Sequence, residues 1–140
     1  MEIFTVSFFG HREVENFVLV EERAERLIRE LITEKPYVEF LVGRNGEFDR
    51  MIASCSLRAK RDIRDDNSFL VLVLPYLTAE YRNNLEAFER YYDEIEICEQ
   101  AARGHYKSAI QTRNRYMVDR SDLVACYVQH ASGGAHQTLY

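Results

Sequence analysis

The chain has 140 residues and a formal net charge of −5 at pH 7. Its length suits a single domain, residues 1–140, and 46% hydrophobic with 29% charged residues is ordinary for a soluble globular protein. The acidic balance argues against broad electrostatic binding to nucleic acid or to an anionic membrane, so neither is expected as a partner. The sequence shows no leader and no apolar run near the roughly 20 residues of a membrane span, which predicts a cytoplasmic protein.

Strand and helix patterns alternate along the chain. Apolar runs predict strands at residues 3–9, 37–42, 69–74, 95–97 and 123–128, and helical spacing predicts helices that begin near residues 17, 48, 85 and 106. Asn16 is placed to cap the first helix. Short crossovers between strands predict an α/β fold in which helices cover both faces of a mainly parallel sheet, a Rossmann-like α/β/α arrangement of three layers.

The end of the sequence carries a possible anion site. The apolar run Leu123–Val128 is followed by Ser132-Gly133-Gly134 and then by residues that could open a helix. A strand, a glycine pair and a helix start direct backbone N–H groups and the positive end of a helix dipole at an anion such as phosphate. The alternative is a plain strand-to-helix turn. Since Tyr140 falls less than two turns into the expected helix, we expect a truncated last helix.

Four polar loops are predicted at one edge of the sheet. They are Gly10–Arg12, Gly43–Asp49, Pro75–Arg82 and Ser132–Thr138, each after a predicted strand. In open parallel sheets, ligands bind outside the carboxyl ends of the strands, where the strand order reverses. The shared location favours a phosphate- or nucleotide-binding cleft, with contacts from Pro75-Tyr76 and from Thr138 among others.

The first two loops supply most of the candidate ligand-binding groups. Gly10 permits a close approach, His11 offers an imidazole, and Arg12 offers a guanidinium suited to phosphate. In the second loop, Gly43 and Gly46 permit unusual backbone angles, and Arg44 and Asn45 can donate hydrogen bonds. His11 is equally compatible with a solvated loop residue, and Arg12 with a structural ion pair.

Two acidic residues follow in the first turn of the second helix. Glu47 and Asp49 could contact a ligand, or they could only stabilise the helix dipole. If the protein is an enzyme, Glu47 is the catalytic carboxylate we expect, because it could activate a water or stabilise an oxocarbenium-like sugar. Arg113 shares a helix face with Met117, so it is expected to point inward, paired with Asp119 or Asp122, or to reach the cleft.

Other kinds of site are not indicated. Cys55, Cys98 and Cys126 lie in apolar segments and are read as core residues rather than as a disulfide framework or a zinc site. The four histidines show no metal-ligand spacing, no nucleophile–histidine–acid relay can be argued, and the G-x-G-x-x-G fingerprint is absent. No metal is therefore expected, and an ordinary NAD dehydrogenase is not favoured.

Several motifs in order resemble a known family. Ser7-Phe-Phe-Gly-His-Arg12, Val42-Gly-Arg-Asn-Gly-Glu-Phe-Asp49, Leu74-Pro-Tyr76, Arg113-Asn-Arg-Tyr-Met-Val-Asp119 and Ser132-Gly-Gly-Ala135 resemble a bacterial group in the SLOG superfamily, which also holds the DNA-processing protein A domain and the LOG-type phosphoribohydrolases. The nearest group by resemblance is the YpsA-type proteins of Gram-positive bacteria, which have been connected with cell division. The resemblance implies a Rossmann-like domain that binds a nucleotide-derived ligand, and many such domains form dimers.

The final loop departs from the hydrolase pattern. LOG-type hydrolases carry P-G-G-x-G-T-x-x-E, whereas here the loop reads Ser-Gly-Gly-Ala-His-Gln-Thr, without the proline, the third glycine or the glutamate. Three functions therefore stay open. The first is binding or sensing of a nucleotide, NAD-derived or ADP-ribose-like ligand without turnover. The second is N-glycosidic cleavage or transfer on a nucleoside monophosphate by Glu47, and the third is a protein-interaction factor in cell-division regulation.

Overall fold

The computed structural model describes residues 2–130 and 136–139, with side chains for residues 2–128. Within these residues, strands and helices alternate along most of the chain. A short 3-10 turn, Tyr106–Ser108, precedes the last helix. The elements are β1 (Phe4–Phe9), α1 (Phe17–Glu34), β2 (Val38–Val42), α2 (Glu47–Asp62), β3 (Ser68–Leu74), α3 (Ala79–Asn83), α4 (Leu85–Tyr91), β4 (Glu94–Ile97), α5 (Glu99–Arg103), α6 (Ala109–Arg120), β5 (Leu123–His130) and β6 (His136–Leu139).

The strands form one sheet in the order β4-β3-β2-β1-β5-β6. The first five of these strands are parallel, and β6 pairs antiparallel with β5. Helices cover both faces, so the predicted α/β/α fold with a mainly parallel sheet is confirmed.

Two apolar clusters hold the layers together. One face of the sheet packs against α1, α2 and the end of α4, through residues that include Phe40, Leu72 and Ile28. The other face packs against α5 and α6, through residues that include Leu41 and Met117. Neighbouring residues of β2 and β3 thus serve opposite faces, which is why these strands are almost uniformly apolar.

A charged bridge ties α6 to the sheet. The Arg120 guanidinium contacts a Glu39 carboxylate oxygen at 3.0 Å and a Glu96 carboxylate oxygen at 2.7 Å. Glu39 lies on β2 and is only 9% exposed, and it also accepts a hydrogen bond from the Thr5 hydroxyl at 2.8 Å. The fold tolerates a carboxylate this deeply buried because the Arg120 guanidinium and the Thr5 hydroxyl both donate hydrogen bonds to it.

Two local predictions are wrong. Asn16 does precede α1, but it adopts a left-handed conformation (φ 53°) and its side chain does not cap the helix. Residues His136–Leu139, predicted to continue a helix that opens after the glycine pair, form β6 instead. The Ser132-Gly133-Gly134 turn itself lies outside the described residues, so the structure does not test its anion-binding role.

Helix length and hydrophobicity also bear on membrane association. Among the described residues, no helix combines the length and the apolar character needed to cross a bilayer.

Candidate ligand-binding site

The strand order reverses at β1. Strands β2, β3 and β4 lie on one side of β1, and β5 lies on the other. The chain leaves β1 into α1 on one face of the sheet and reaches β5 from α6 on the opposite face. The carboxyl ends of β1 and β5 therefore flank the crevice in which sheets of this kind bind ligands.

The loop after β1 is fixed at three points. The Glu47 N–H donates to the Arg12 carbonyl at 2.7 Å, and the Val14 N–H donates to the Glu47 carboxylate at 2.7 Å. The Glu15 N–H donates to the Tyr127 hydroxyl at 3.1 Å. The loop is thus held against the start of α2 and the end of β5, and its shape is set before any ligand arrives.

Gly10 and Gly46, two of the predicted site residues, allow the loop after β1 and the start of α2 to pack closely. A Cβ on Gly10 would overlap the ring of Phe48, and a Cβ on Gly46 would overlap the backbone of Arg12. The Phe48 ring is fully buried and stacks on Tyr127, with 5.9 Å between ring centroids. The close approach that both glycines permit is to the protein's own residues, which explains their presence without a ligand.

His11 and Arg12 extend from the fixed loop into solvent. Both residues are exposed. The His11 ring meets the Tyr127 ring edge-on, with 5.6 Å between centroids. Within the described part of the chain, no hydrogen bond or ion pair of the Arg12 guanidinium is found. Arg12 thus carries a guanidinium that is unpaired among the described residues, on a backbone fixed beside the β1–β5 crevice.

Two helices, α1 and α2, begin near the crevice, and their first turns differ in the number of acidic residues. At the start of α2, the carboxylates of Glu47 and Asp49 occupy the first turn, and each accepts a backbone N–H from a preceding loop. The start of α1 has neither an acidic residue in its first turn nor a side-chain cap. Two carboxylates already offset the dipole at the start of α2, whereas at α1 the nearest acidic residues, Glu13 and Glu15, precede the helix.

Arg44 points away from the crevice. Its guanidinium donates to Glu80 at 3.0 Å and to the Tyr92 hydroxyl at 2.9 Å, and it lies 4.6 Å from the centre of the Phe88 ring. Arg44 thus fastens the second loop to α3 and α4. Neither Arg12 nor another residue of the loop after β1 is among these contacts of Arg44.

Arg113 and Asp49 form a buried group at the end of β2. Arg113 is 3% exposed, its guanidinium packs against Gly43, and it donates to the Val73 carbonyl at 3.2 Å and to the Asn114 side chain. Burial lowers the pKa of Arg113 while Asp49 and Cys98 raise it. Burial raises the pKa of Asp49, and the Asn45 N–H and Arg113 oppose this shift.

The inward orientation of Arg113 is as predicted, but the predicted partners are wrong. Asp122 accepts the Thr5 N–H at the amino end of β1, which is the opposite edge of the sheet from Gly43. Among the described residues, neither Asp119 nor Asp122 forms an ion pair with Arg113. Only the burial of Arg113 could be inferred from helix spacing, because one acceptor, Val73, lies on another element and the other, Asn114, is an adjacent amide rather than an acid.

The remaining predicted residues follow β3 and β5. Pro75 is buried and Tyr76 is 40% exposed, directly after β3. Since β2 lies between β3 and β1, these two residues flank the second loop rather than the β1–β5 crevice. Thr138 lies on β6, opposite Val128 of β5. Ser132, Gly133 and Gly134 lie outside the described residues.

Tyr127 is the residue that sequence reasoning missed. It is buried, and it contacts Phe48, His11 and the backbone of Glu15. A tyrosine inside an otherwise apolar strand was a usable signal, because a buried phenol hydroxyl needs a hydrogen-bond partner. Its position near the carboxyl end of the predicted strand would have placed that partner in the crevice loops.

A cavity along α1 is less suited to a ligand. Its volume is 830 Å³, and the residues that line it are charged apart from Thr33. Its arginines are mostly engaged in ion pairs, such as Arg58 with Glu25 at 2.6 Å. Among residues 2–128, no group of three histidine, cysteine or acidic side chains is arranged to hold a metal ion.

Comparison with known proteins adds no assignment. No family model, no curated protein and no solved structure matches the chain.

Proposed function

We propose that the protein binds a nucleotide-derived ligand, such as a nucleotide, NAD or ADP-ribose, in the crevice between the carboxyl ends of β1 and β5. The observation that carries the proposal is the loop after β1, which three hydrogen bonds fix while Arg12 stays exposed and unpaired among the described residues. A guanidinium on a preorganised backbone suits a phosphate, since little conformational entropy is lost on binding.

The neighbourhood of Arg12 supports the same ligand class. The N-terminus of α1 lacks an acidic residue in its first turn and follows the same loop. The exposed His11 ring, which packs edge-on against the buried Tyr127 ring, adds aromatic surface beside it. The resemblance to the SLOG superfamily points to the same chemistry. Cytoplasmic location, a homodimer and a protein partner stay predictions.

Binding without turnover is favoured over hydrolysis. One oxygen of the Glu47 carboxylate accepts the Val14 N–H at 2.7 Å, so this group already has a structural role. Its other oxygen makes no hydrogen bond to the described residues. Incubation of a nucleoside monophosphate with the wild type is expected to release no free base above the buffer rate. Release that Glu47→Gln abolishes would instead establish the hydrolase function.

A thermal-shift screen tests the binding proposal. A ligand at 100 times its Kd stabilises by about 2.7 kcal/mol, which for a domain of this size raises Tm by roughly 5–10 °C. We expect such a rise with at least one compound among mononucleotides, NAD and ADP-ribose. Arg12→Ala should remove most of it, while Arg115→Ala, a change at an exposed arginine on α6, should not. No rise with any of these compounds would refute the proposal.

A further inference from the structure

A second cavity lies between α2 and α4, apart from the crevice. Its volume is 360 Å³, near the lower end of the roughly 300–1,000 Å³ typical of small-molecule sites. We call it the α2–α4 pocket. It is lined by Arg44, Arg50, Ser54, Ala87, Phe88, Tyr91 and Tyr92.

Aromatic rings form one wall of the α2–α4 pocket. Phe88 and Tyr92 are buried, and their ring centroids lie 5.9 Å apart. Tyr91 stands edge-on to Tyr92 at 5.0 Å and remains 38% exposed. Two fixed rings therefore support a third that is accessible to a planar ligand, and such a ligand can stack on Tyr91.

The charged side chains of the pocket are both arginines. Arg44 is held in place by Glu80, by the Tyr92 hydroxyl and by the face of Phe88. Its second terminal nitrogen, Nη2, makes no hydrogen bond to the described residues. The Arg50 guanidinium is exposed and has no hydrogen bond or ion pair within that same part of the chain.

No carboxylate lines this cavity, although the chain carries a net charge of −5. Glu80 compensates the charge of Arg44, so the exposed Arg50 supplies most of the positive potential of the pocket. The hydroxyl of Ser54, one turn after Arg50, also makes no hydrogen bond to residues 2–128 and can donate to an oxyanion. The aromatic wall and the two arginines together match a ligand that is planar at one end and anionic at the other.

We propose that the α2–α4 pocket binds a small planar aromatic anion, no larger than a nucleoside monophosphate. The ring lies against Tyr91, and the phosphate or carboxylate contacts Arg44 and Arg50. This site does not depend on the crevice: Arg12 and the loop after β1 do not line it. The two sites can therefore be occupied, and can fail, separately.

Amide NMR spectra of the ¹⁵N-labelled full chain test the proposal, with AMP, adenosine and inorganic phosphate as separate probes. We expect AMP to shift the amides of residues 50–54 and 87–92, with much weaker effects from adenosine or phosphate alone. A titration with 4-hydroxybenzoate distinguishes carboxylate from phosphate as the preferred anion. Shifts of residues 10–16 report the crevice in the same spectra.

Variants locate the binding groups. Loss of a stacking ring or of a charge-assisted contact weakens binding about tenfold or more, so we expect that loss in Tyr91→Leu and in Arg50→Gln. Arg90→Gln, a change at an exposed neighbour on α4 that does not line the pocket, should leave affinity unchanged. Arg12→Ala should also leave the shifts of residues 50–54 and 87–92 intact.

Two results would overturn the proposal. One is the absence of shifts at residues 50–54 and 87–92 with AMP and with 4-hydroxybenzoate. The other is a set of shifts there that Arg50→Gln and Tyr91→Leu leave unchanged in variants whose Tm equals that of the wild type. If residues 10–16 respond to AMP in either case, the proposed function survives while this inference fails.

Discussion

Replacing Glu47 with alanine separates a structural from a catalytic carboxylate. The substitution removes the acceptor of the Val14 N–H, a 2.7 Å bond to a half-buried residue. A hydrogen bond to a charged group contributes about 1.5–3 kcal/mol, and a carboxylate in the first turn of a helix adds about 0.3–1 kcal/mol. Because Glu47 is partly exposed, we take the lower end and expect Glu47→Ala to lose about 2 kcal/mol.

Glu47→Gln is the matched variant. It keeps an oxygen that can accept the Val14 N–H and loses only the charge, so we expect a loss of about 1 kcal/mol or less. Glu86→Ala is the control, since Glu86 also lies in the first turn of a helix and pairs with the exposed Arg90. Its effect should stay within about 0.5 kcal/mol.

Urea unfolding followed by circular dichroism gives the free energies, and hydrogen exchange at the Val14 amide reports the local contact. The expected order of stability is wild type, then Glu47→Gln, then Glu47→Ala, with the fastest Val14 exchange in the alanine variant. If Glu47→Ala unfolds with the wild-type free energy and Val14 keeps its protection, Glu47 does not hold this loop.

Three further substitutions or treatments test the buried charges and thiols. Burial raises the pKa of Asp49, so the ionised folded form is disfavoured, and Asp49→Asn should be more stable than wild type at neutral pH. The stability advantage of Asp49→Asn should vanish as pH falls below about 4, where the carboxyl of the unfolded wild type is also protonated. Urea titrations in which the two proteins differ in unfolding free energy by the same amount at every pH would contradict this prediction. Burial raises the pKa of Cys55 to about 12, so mass spectrometry should find iodoacetamide on Cys55 only after unfolding, and native labelling would disprove this. Arg120→Leu leaves Glu39 buried without its cation and should lower the unfolding free energy by about 3 kcal/mol; a measured loss below about 1 kcal/mol would show that the bridge is weak.

The layers of the fold could be predicted because each element carries its own pattern. Strand β3 is a continuous apolar run, which is what burial on both faces requires. Helix α1 repeats apolar residues at helical spacing and buries that face, including Ile28 and Ile32. Such local patterns survive in the structure because they agree with the packing of the sheet.

Strand β6 could not be predicted in the same way. A glycine pair fits a hairpin as well as a strand-to-helix turn, so the local signal is ambiguous. The strand conformation of residues 136–139 depends on pairing with β5, which the local sequence does not show. Without β6, strand β5 would present an unpaired edge at the end of the sheet. The sequence does not indicate which strand would pair with residues 136–139, and these four residues are too few to show a strand periodicity.

The candidate site was predictable in its residues but not in its contacts. Sequence order placed the loops after β1 and β2 at one edge, and they do lie there, interlocked by Glu47. The partners are distant in sequence, however. Arg44 donates a hydrogen bond to Tyr92, 48 residues away. Arg113 donates a hydrogen bond to the Val73 carbonyl, 40 residues away. The sequence places both Arg12 and Arg44 in the predicted cleft, and only the folded geometry assigns Arg44 to the α2–α4 pocket.

We propose above that a nucleotide-derived ligand binds beside Arg12. The most direct measurement is isothermal titration calorimetry of the best ligand from the thermal-shift screen, with wild type, Arg12→Ala and Arg115→Ala. A lost charge-assisted phosphate contact corresponds to about 10- to 100-fold weaker binding. We predict that loss in Arg12→Ala and wild-type affinity in Arg115→Ala. Equal affinity in all three proteins would contradict the claim.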